Sequence, residues 1–169
     1  SDFGDRVETV LDAGPTRCGL ESTVIDAATA PISILRPGAI TTGDIAQIAG
    51  YVPERGTTDD QSPSAPGQLA SHYAPAAAIR LEASRAAPGE ALLAFGPCPA
   101  PHTGPMVNLS PAGDVTEAAI NLFAALRELD RSGCKAIAVM PIPAVGLGEA
   151  INDRLQRAAA PRGLGNTMS

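Results

Sequence analysis

Residues 53–67, Pro53-Glu54-Arg55-Gly56-Thr57-Thr58-Asp59-Asp60-Gln61-Ser62-Pro63-Ser64-Ala65-Pro66-Gly67, are polar, rich in proline and almost free of large apolar side chains. Such a stretch has nothing to bury and cannot run through a packed core, so it reads as a linker or an extended arm. It splits the chain into two parts that must each find their own partners. The expected division is 1–50, the end of a larger and here incomplete α+β domain; 51–76, the arm; and 77–169, a small α/β domain.

Upstream of the arm, apolar runs are short. Residues 7–11 alternate in part and read as a strand, broken by Asp12-Ala13-Gly14-Pro15. Residues 22–26 and 32–35 are two further β-rich runs, the second stopped by Arg36-Pro37-Gly38. Thr42 is placed to cap a short helix reaching about Ile48, because Ile45, Ile48 and Ala49 follow at helical spacing. Three short strands and one helix cannot bury a good core alone.

Downstream, strand and helix patterns alternate. Residues 79–81, 91–95 and 106–109 read as strands, and 136–140 is a fully apolar run of the kind found in central parallel strands. Asp114 can cap a helix to about Arg131, whose Val115, Ala119, Leu122, Leu126 and Leu129 fall on one face, with Gly133 beyond its end. A last helix is expected from Glu149 to Ala160, before Pro161. The fold class is therefore α/β: a partial α+β segment followed by a small Rossmann-like, doubly wound α/β domain.

Charge and cysteine usage narrow the function. Lys and Arg number 12 against 18 Asp and Glu, a formal net charge of −6, so the chain lacks the basic field of a tight tRNA- or DNA-binding protein. No apolar stretch approaches the roughly 18 residues of a spanning helix, and the first residues carry neither a basic nor an apolar leader region. The absence of an initiator Met fits a chain that starts mid-protein. Cys18, Cys98 and Cys134 are odd in number, form no C-x-x-C, and are not spaced with His72 and His102 for a metal. Reduced thiols and a cytoplasmic location are expected, with no metal ligands and no membrane partner.

Two constellations carry chemistry. In Gly19-Leu20-Glu21-Ser22-Thr23-Val24-Ile25-Asp26 and Leu35-Arg36-Pro37-Gly38, hydroxyls and a planar guanidinium stand beside apolar strands, donors suited to a carboxylate or phosphate. The bland alternative is a strand-opening Ser-Thr and a surface arginine at a turn. In Val145-Gly146-Leu147-Gly148-Glu149, glycines open a helix and could leave backbone N–H groups for an anion. Ile151 spoils a dinucleotide fingerprint there, and Asn152, Asp153 and Arg154 read as caps, packing or contacts with the other domain. The acids show no paired spacing for acid–base work and no catalytic triad is supported, so no catalytic side chain is assigned.

Gly-Leu-Glu-Ser-Thr-Val-Ile-Asp followed by Leu-Arg-Pro-Gly resembles the closing segment of the YrdC catalytic domain. Pro66-Gly67, then His72-Tyr73-Ala74-Pro75, resembles the interdomain arm of two-domain threonylcarbamoyl-AMP synthases of the YrdC type, although the arm's basic residues and first tyrosine are absent. The end of the chain resembles their accessory domain. The resemblance implies a nucleotidyltransferase that condenses L-threonine, bicarbonate and ATP, accompanied by Mg²⁺, into threonylcarbamoyl-AMP and pyrophosphate. The product would pass to the machinery that completes threonylcarbamoyladenosine on tRNA. It implies that Ser22 binds threonine, that Arg36, His72 and Tyr73 serve the ATP site, and that this chain, lacking the N-terminal catalytic part, is inactive alone. Two other readings stay open: a non-catalytic α/β regulatory or interaction module, and a hydrogenase-maturation carbamoyltransferase, against which the Ser71-His72-Tyr73-Ala74-Pro75 arm counts.

Overall fold

A computed structural model describes residues 7–9, 11, 14, 16, 18–28, 30–56, 74–98 and 102–160. His72, Tyr73 and most of the expected arm lie outside the described residues.

The first part builds a three-stranded sheet from β1 (Val24–Asp26), β2 (Ser33–Arg36) and β3 (Glu54–Arg55), in that order. β1 and β2 run antiparallel, and β2 and β3 parallel. Between β2 and β3 lies α1 (Thr42–Ala49). Its cap is Thr41 instead of Thr42. The Thr41 hydroxyl accepts from the Asp44 N–H, and the Asp44 carboxylate accepts from the Thr41 N–H at 2.9 Å, a reciprocal capping box that the sequence Thr41-Thr42-Gly43-Asp44 permits. Gly50 ends α1 at φ 78°, the left-handed position that glycine occupies without strain.

The described residues of 7–11 (7, 8, 9 and 11) contain no strand, against expectation. A strand persists only where a neighbour takes its backbone hydrogen bonds, and none of the described residues pairs with them. Conversely β3 sits in the stretch read as arm. It is two residues long, polar and exposed, so nothing in its pattern marks it as a strand.

The second part is a four-stranded, all-parallel sheet in the order β4-β7-β5-β6, formed by β4 (Ala78–Arg80), β5 (Ala91–Ala94), β6 (Met106–Asn108) and β7 (Ala136–Val139). β5 and β7 are interior, which explains their unbroken apolar sequences: β5 is buried at every residue. Alternate side chains feed two faces. Leu93, Ile137 and Val139 meet α2 (Val115–Arg131) and α3 (Leu147–Ala159) in the main core. Leu92, Ala94 and Ala138 meet Ala83, Ala86 and Cys98 from the connecting loops on the other face. The chain thus winds over both faces, with helices on one and loops on the other. α2 presents the expected stripe, with Ala119, Leu122, Leu126 and Leu129 buried. It starts at an Asp114 cap that accepts from the Thr116 and Glu117 N–H groups, and Gly133 at φ 74° follows its end.

Among the described residues upstream of Ala77, the buried apolar side chains are Ile34 and the prolines Pro37, Pro53 and Pro75. So small a set makes little core of its own, and the first part is supported by contacts with the second. The loop before β1 makes them: Gly19 lies so close to α2 that a Cβ there would come within 2.4 Å of Ile120 Cα, and Leu20 packs on the main core. No described helix is long and apolar enough to cross a membrane.

Candidate functional site

The turn between Glu21 and Thr23 crosses the turn after β2 at backbone contact distance. A Cβ on Gly38 would lie 2.3 Å from the Glu21 carbonyl oxygen and 2.5 Å from the Thr23 nitrogen. Glycine is required here by space, since any side chain would force the two backbones apart. The Ala39 N–H donates to the Glu21 carbonyl at 3.3 Å. Thr23 fastens the other side: its hydroxyl donates to the Ile40 carbonyl at 2.6 Å and accepts from the Ile40 N–H at 3.1 Å. That hydroxyl's one proton is spent, so Thr23 shapes the turn and is not a ligand donor.

The structure brings Ser22 and Arg36 together. Arg36 is neither on the surface nor free-standing: it is 7% exposed, and its Nε and Nη2 donate to the Ser22 carbonyl at 3.2 and 2.9 Å. Nη2 also approaches the Ser22 Oγ at 3.4 Å. The Ser22 residue itself is exposed. An accessible hydroxyl thus stands over a buried cation. In a region partly shielded from water such a charge acts over several ångströms, and it favours an anionic group at the hydroxyl.

The segment bearing Ser22 is joined to α3 by ion pairs that the sequence alone did not reveal. Arg154 is fully buried, and its Nε donates to Glu21 Oε2 at 3.0 Å and its Nη1 to Asp153 Oδ2 at 2.8 Å. Asp153 also accepts from Arg55 Nη2 on β3 at 2.7 Å and from Arg157 Nε at 3.1 Å. Burial pushes the Asp153 carboxyl up, but hydrogen bonds from Arg157 and Arg55, with the charges of Arg157 and Arg154, outweigh it and hold the group below its ordinary range. A second tie runs from the Thr42 hydroxyl to Glu149 Oε2 at 2.5 Å. Asp153 and Arg154, read from the sequence as caps, packing or contacts, are structural groups that tie α3 to Arg55 and Glu21, and Asn152 donates to the Ile142 carbonyl at 2.9 Å in a packing role.

The Gly146–Gly148 turn directs two of its N–H groups inward instead of toward a ligand. The Gly148 N–H donates to the Val145 carbonyl at 3.0 Å and the Glu149 N–H to the Gly146 carbonyl at 3.2 Å. A Cβ on Gly148 would sit 1.8 Å from the Pro143 oxygen, so this glycine allows close packing. Cys18, Cys98 and Cys134 form no disulfide with one another. The described residues gather no group of three His, Cys, Asp or Glu side chains able to hold a metal.

A parallel α/β unit clamped by its last helix onto a Ser-Thr/Arg turn defines the architectural class of this molecule. Residues 40–160 match the family described as threonylcarbamoyl-AMP synthase, C-terminal domain, and the chain belongs to that family. It is 34% identical to a threonylcarbamoyl-AMP synthase of Pyrococcus abyssi over 95% of this chain and 52% of the relative. It is 29% identical to one of Bacillus subtilis over 95% of this chain and 51% of the relative. A crystal structure of P. abyssi Sua5 complexed with L-threonine superposes with a TM-score of 0.79 at 31% identity, covering 93% of this chain and 51% of that one. The chain spans about half the length of these relatives.

Proposed function

We propose that these 169 residues are the C-terminal part of a two-domain synthase that joins L-threonine, bicarbonate and ATP into threonylcarbamoyl-AMP with release of pyrophosphate. The observation that carries this reading is the exposed Ser22 hydroxyl standing over the buried Arg36 guanidinium. The likeness to a structure complexed with L-threonine supports it. Ser22 would donate to the threonine carboxylate. Arg36 would hold Ser22 in place with two N–H groups and lend its positive potential to the phosphates of ATP. His72 and Tyr73, on the arm, would close over the nucleotide and exclude water from a hydrolysable intermediate. Residues 1–50, 51–76 and 77–169 would be the end of the catalytic domain, the arm and the accessory domain, with β3 of the arm region completing the first sheet.

The chemistry asks for placement and charge stabilisation more than for a protein nucleophile. Mg²⁺ would enter bound to ATP; the described residues form no cage for it, and no step here runs through the metal. The reaction would take place in the cytoplasm, its product passing to the machinery that modifies tRNA.

The test is pyrophosphate release from ATP with Mg²⁺, bicarbonate and threonine, against the same mixture without threonine. The complete gene product should release pyrophosphate in a threonine-dependent way and the 169-residue chain should not. Absence of threonine dependence in the complete product would refute the reading.

A further inference from the structure

We infer that α2 and α3 serve as the seat of the Ser22 turn, with Arg154 as a positioning residue for it; the ligand named for that turn rests on the function proposed above. Three independent contacts converge on the four residues before Thr23. Gly19 lies against the α2 backbone, where a Cβ would meet Ile120 Cα at 2.4 Å and the Ala119 carbonyl oxygen at 2.5 Å. Leu20 packs into the main core. The Glu21 carboxylate takes the Arg154 Nε–H at 3.0 Å. The next residue is Ser22, whose carbonyl receives Arg36. The backbone of one turn is thus gripped by the α2–α3 layer from below and by Arg36 from the side.

The electrostatics explain why Arg154 can do this. It is fully buried, and a buried guanidinium costs far less when carboxylates neutralise its charge, as Glu21 and Asp153 do here. Asp153 fixes Arg154 from within α3, and Arg55 and Arg157 fix Asp153. The Glu21 carboxylate, one-third exposed, meets a charge whose position is already set on its other side. Ordering Glu21 therefore costs only its own side-chain entropy, and the accessory unit delivers a pre-formed site to the turn instead of merely following it in the chain. α3 is also the helix tied to α1 through Thr42 and Glu149, so sheet and turn sit on the same support.

The decisive experiment follows the Arg36 Nε–H and the Ser22, Thr23 and Ala39 amides by NMR hydrogen exchange in the 169-residue chain, for the natural sequence, Glu21→Gln, Arg154→Lys and Gly19→Ala. Glu21→Gln is the mild variant, because Glu21 lies at the edge and its loss leaves no cavity. Seating predicts that all three variants speed exchange at Arg36 Nε–H and Ala39 by roughly tenfold, the coupling usual for residues in one network, while Leu93 and Leu122 amides keep their protection. In the complete gene product the same variants should weaken L-threonine binding by roughly the same factor in calorimetric titration, with Glu21→Asp recovering part of it. Unchanged exchange at Arg36 and Ala39 in Glu21→Gln and Gly19→Ala overturns the inference. If the natural complete protein takes up no threonine, the proposed function falls, and the seat is still judged on the exchange rates alone.

Discussion

Arg36 reaches from the end of β2 to the carbonyl of Ser22, placing Nε and Nη2 on one oxygen at 3.2 and 2.9 Å, so the one buried cation of the first sheet is also the clamp of its most reactive-looking turn. Substitutions at the two ends should behave differently. Ser22→Ala removes an exposed hydroxyl and should change unfolding free energy by no more than about 0.5 kcal/mol. Under the function proposed above, threonine affinity of the complete protein should nevertheless fall by about tenfold, the value of one hydrogen bond to a charged group. Arg36→Lys loses the fork and should lower both, which parallel thermal melts and calorimetric titrations would register.

Asp153 holds three arginines. Asp153→Asn leaves Arg154 buried with a weaker acceptor and should destabilise the chain by about 3 kcal/mol or more, the scale of a broken buried ion pair. Urea denaturation would measure it. A double variant with Arg154→Met should be less harmful than the two losses added together, because the penalty of an unpaired charge is then removed.

Acid should loosen the chain in two places. The hydrogen bond from Arg80 and the Ala87 N–H hold the Glu90 carboxyl at about 2, down from 4.5, and Asp153 lies below 3.8. Both groups bind protons less readily folded than unfolded, so each contributes stability that is fully present above its ordinary value and is lost as pH falls through its folded one. Circular dichroism melts should therefore show melting temperature flat above about pH 5 and falling steadily toward pH 2. Glu90→Gln should flatten part of that fall, and an unchanged slope would exclude its contribution.

Leu122 lies at the centre of the α2 stripe with no exposed surface. Leu122→Ala should cost about 2–5 kcal/mol, the range for truncating a buried leucine. Because the Gly19 and Leu20 loop rests on the same layer, the variant should also reduce protection of the Ser22 turn, readable by hydrogen exchange with mass spectrometry.

Much of this architecture was legible from the residues. The α2 stripe, the Asp114 cap, the fully apolar β7 and the glycine after α2 all follow from interactions within a few residues, which periodicity and cap chemistry record. Ser22 and Arg36 stood out as members of two motifs, but that Arg36 caps the Ser22 carbonyl was not legible. Legibility failed where the deciding partner is remote or the signal is too short. β3 exists because β2 offers a parallel edge to two polar residues. The cap of α1 falls on Thr41 because both threonines suit the position, and the Asp44 geometry chooses between them. Thr23 looked like a ligand donor until the Ile40 backbone came within reach of its hydroxyl.

The sequence by itself determined the three helices, the strands of the parallel sheet and which faces are apolar, since these are set by local sterics and by a hydrophobic pattern of fixed period. Only the tertiary structure decided that Glu21 meets Arg154 across 133 residues, Thr42 meets Glu149 across 107, and Arg55 meets Asp153 across 98. Those pairs have no local signature. Each charge is stabilised only after the parallel sheet has closed, α3 has packed on it, and water has been displaced from around the guanidinium, and that sequence of events belongs to the packed molecule as a whole.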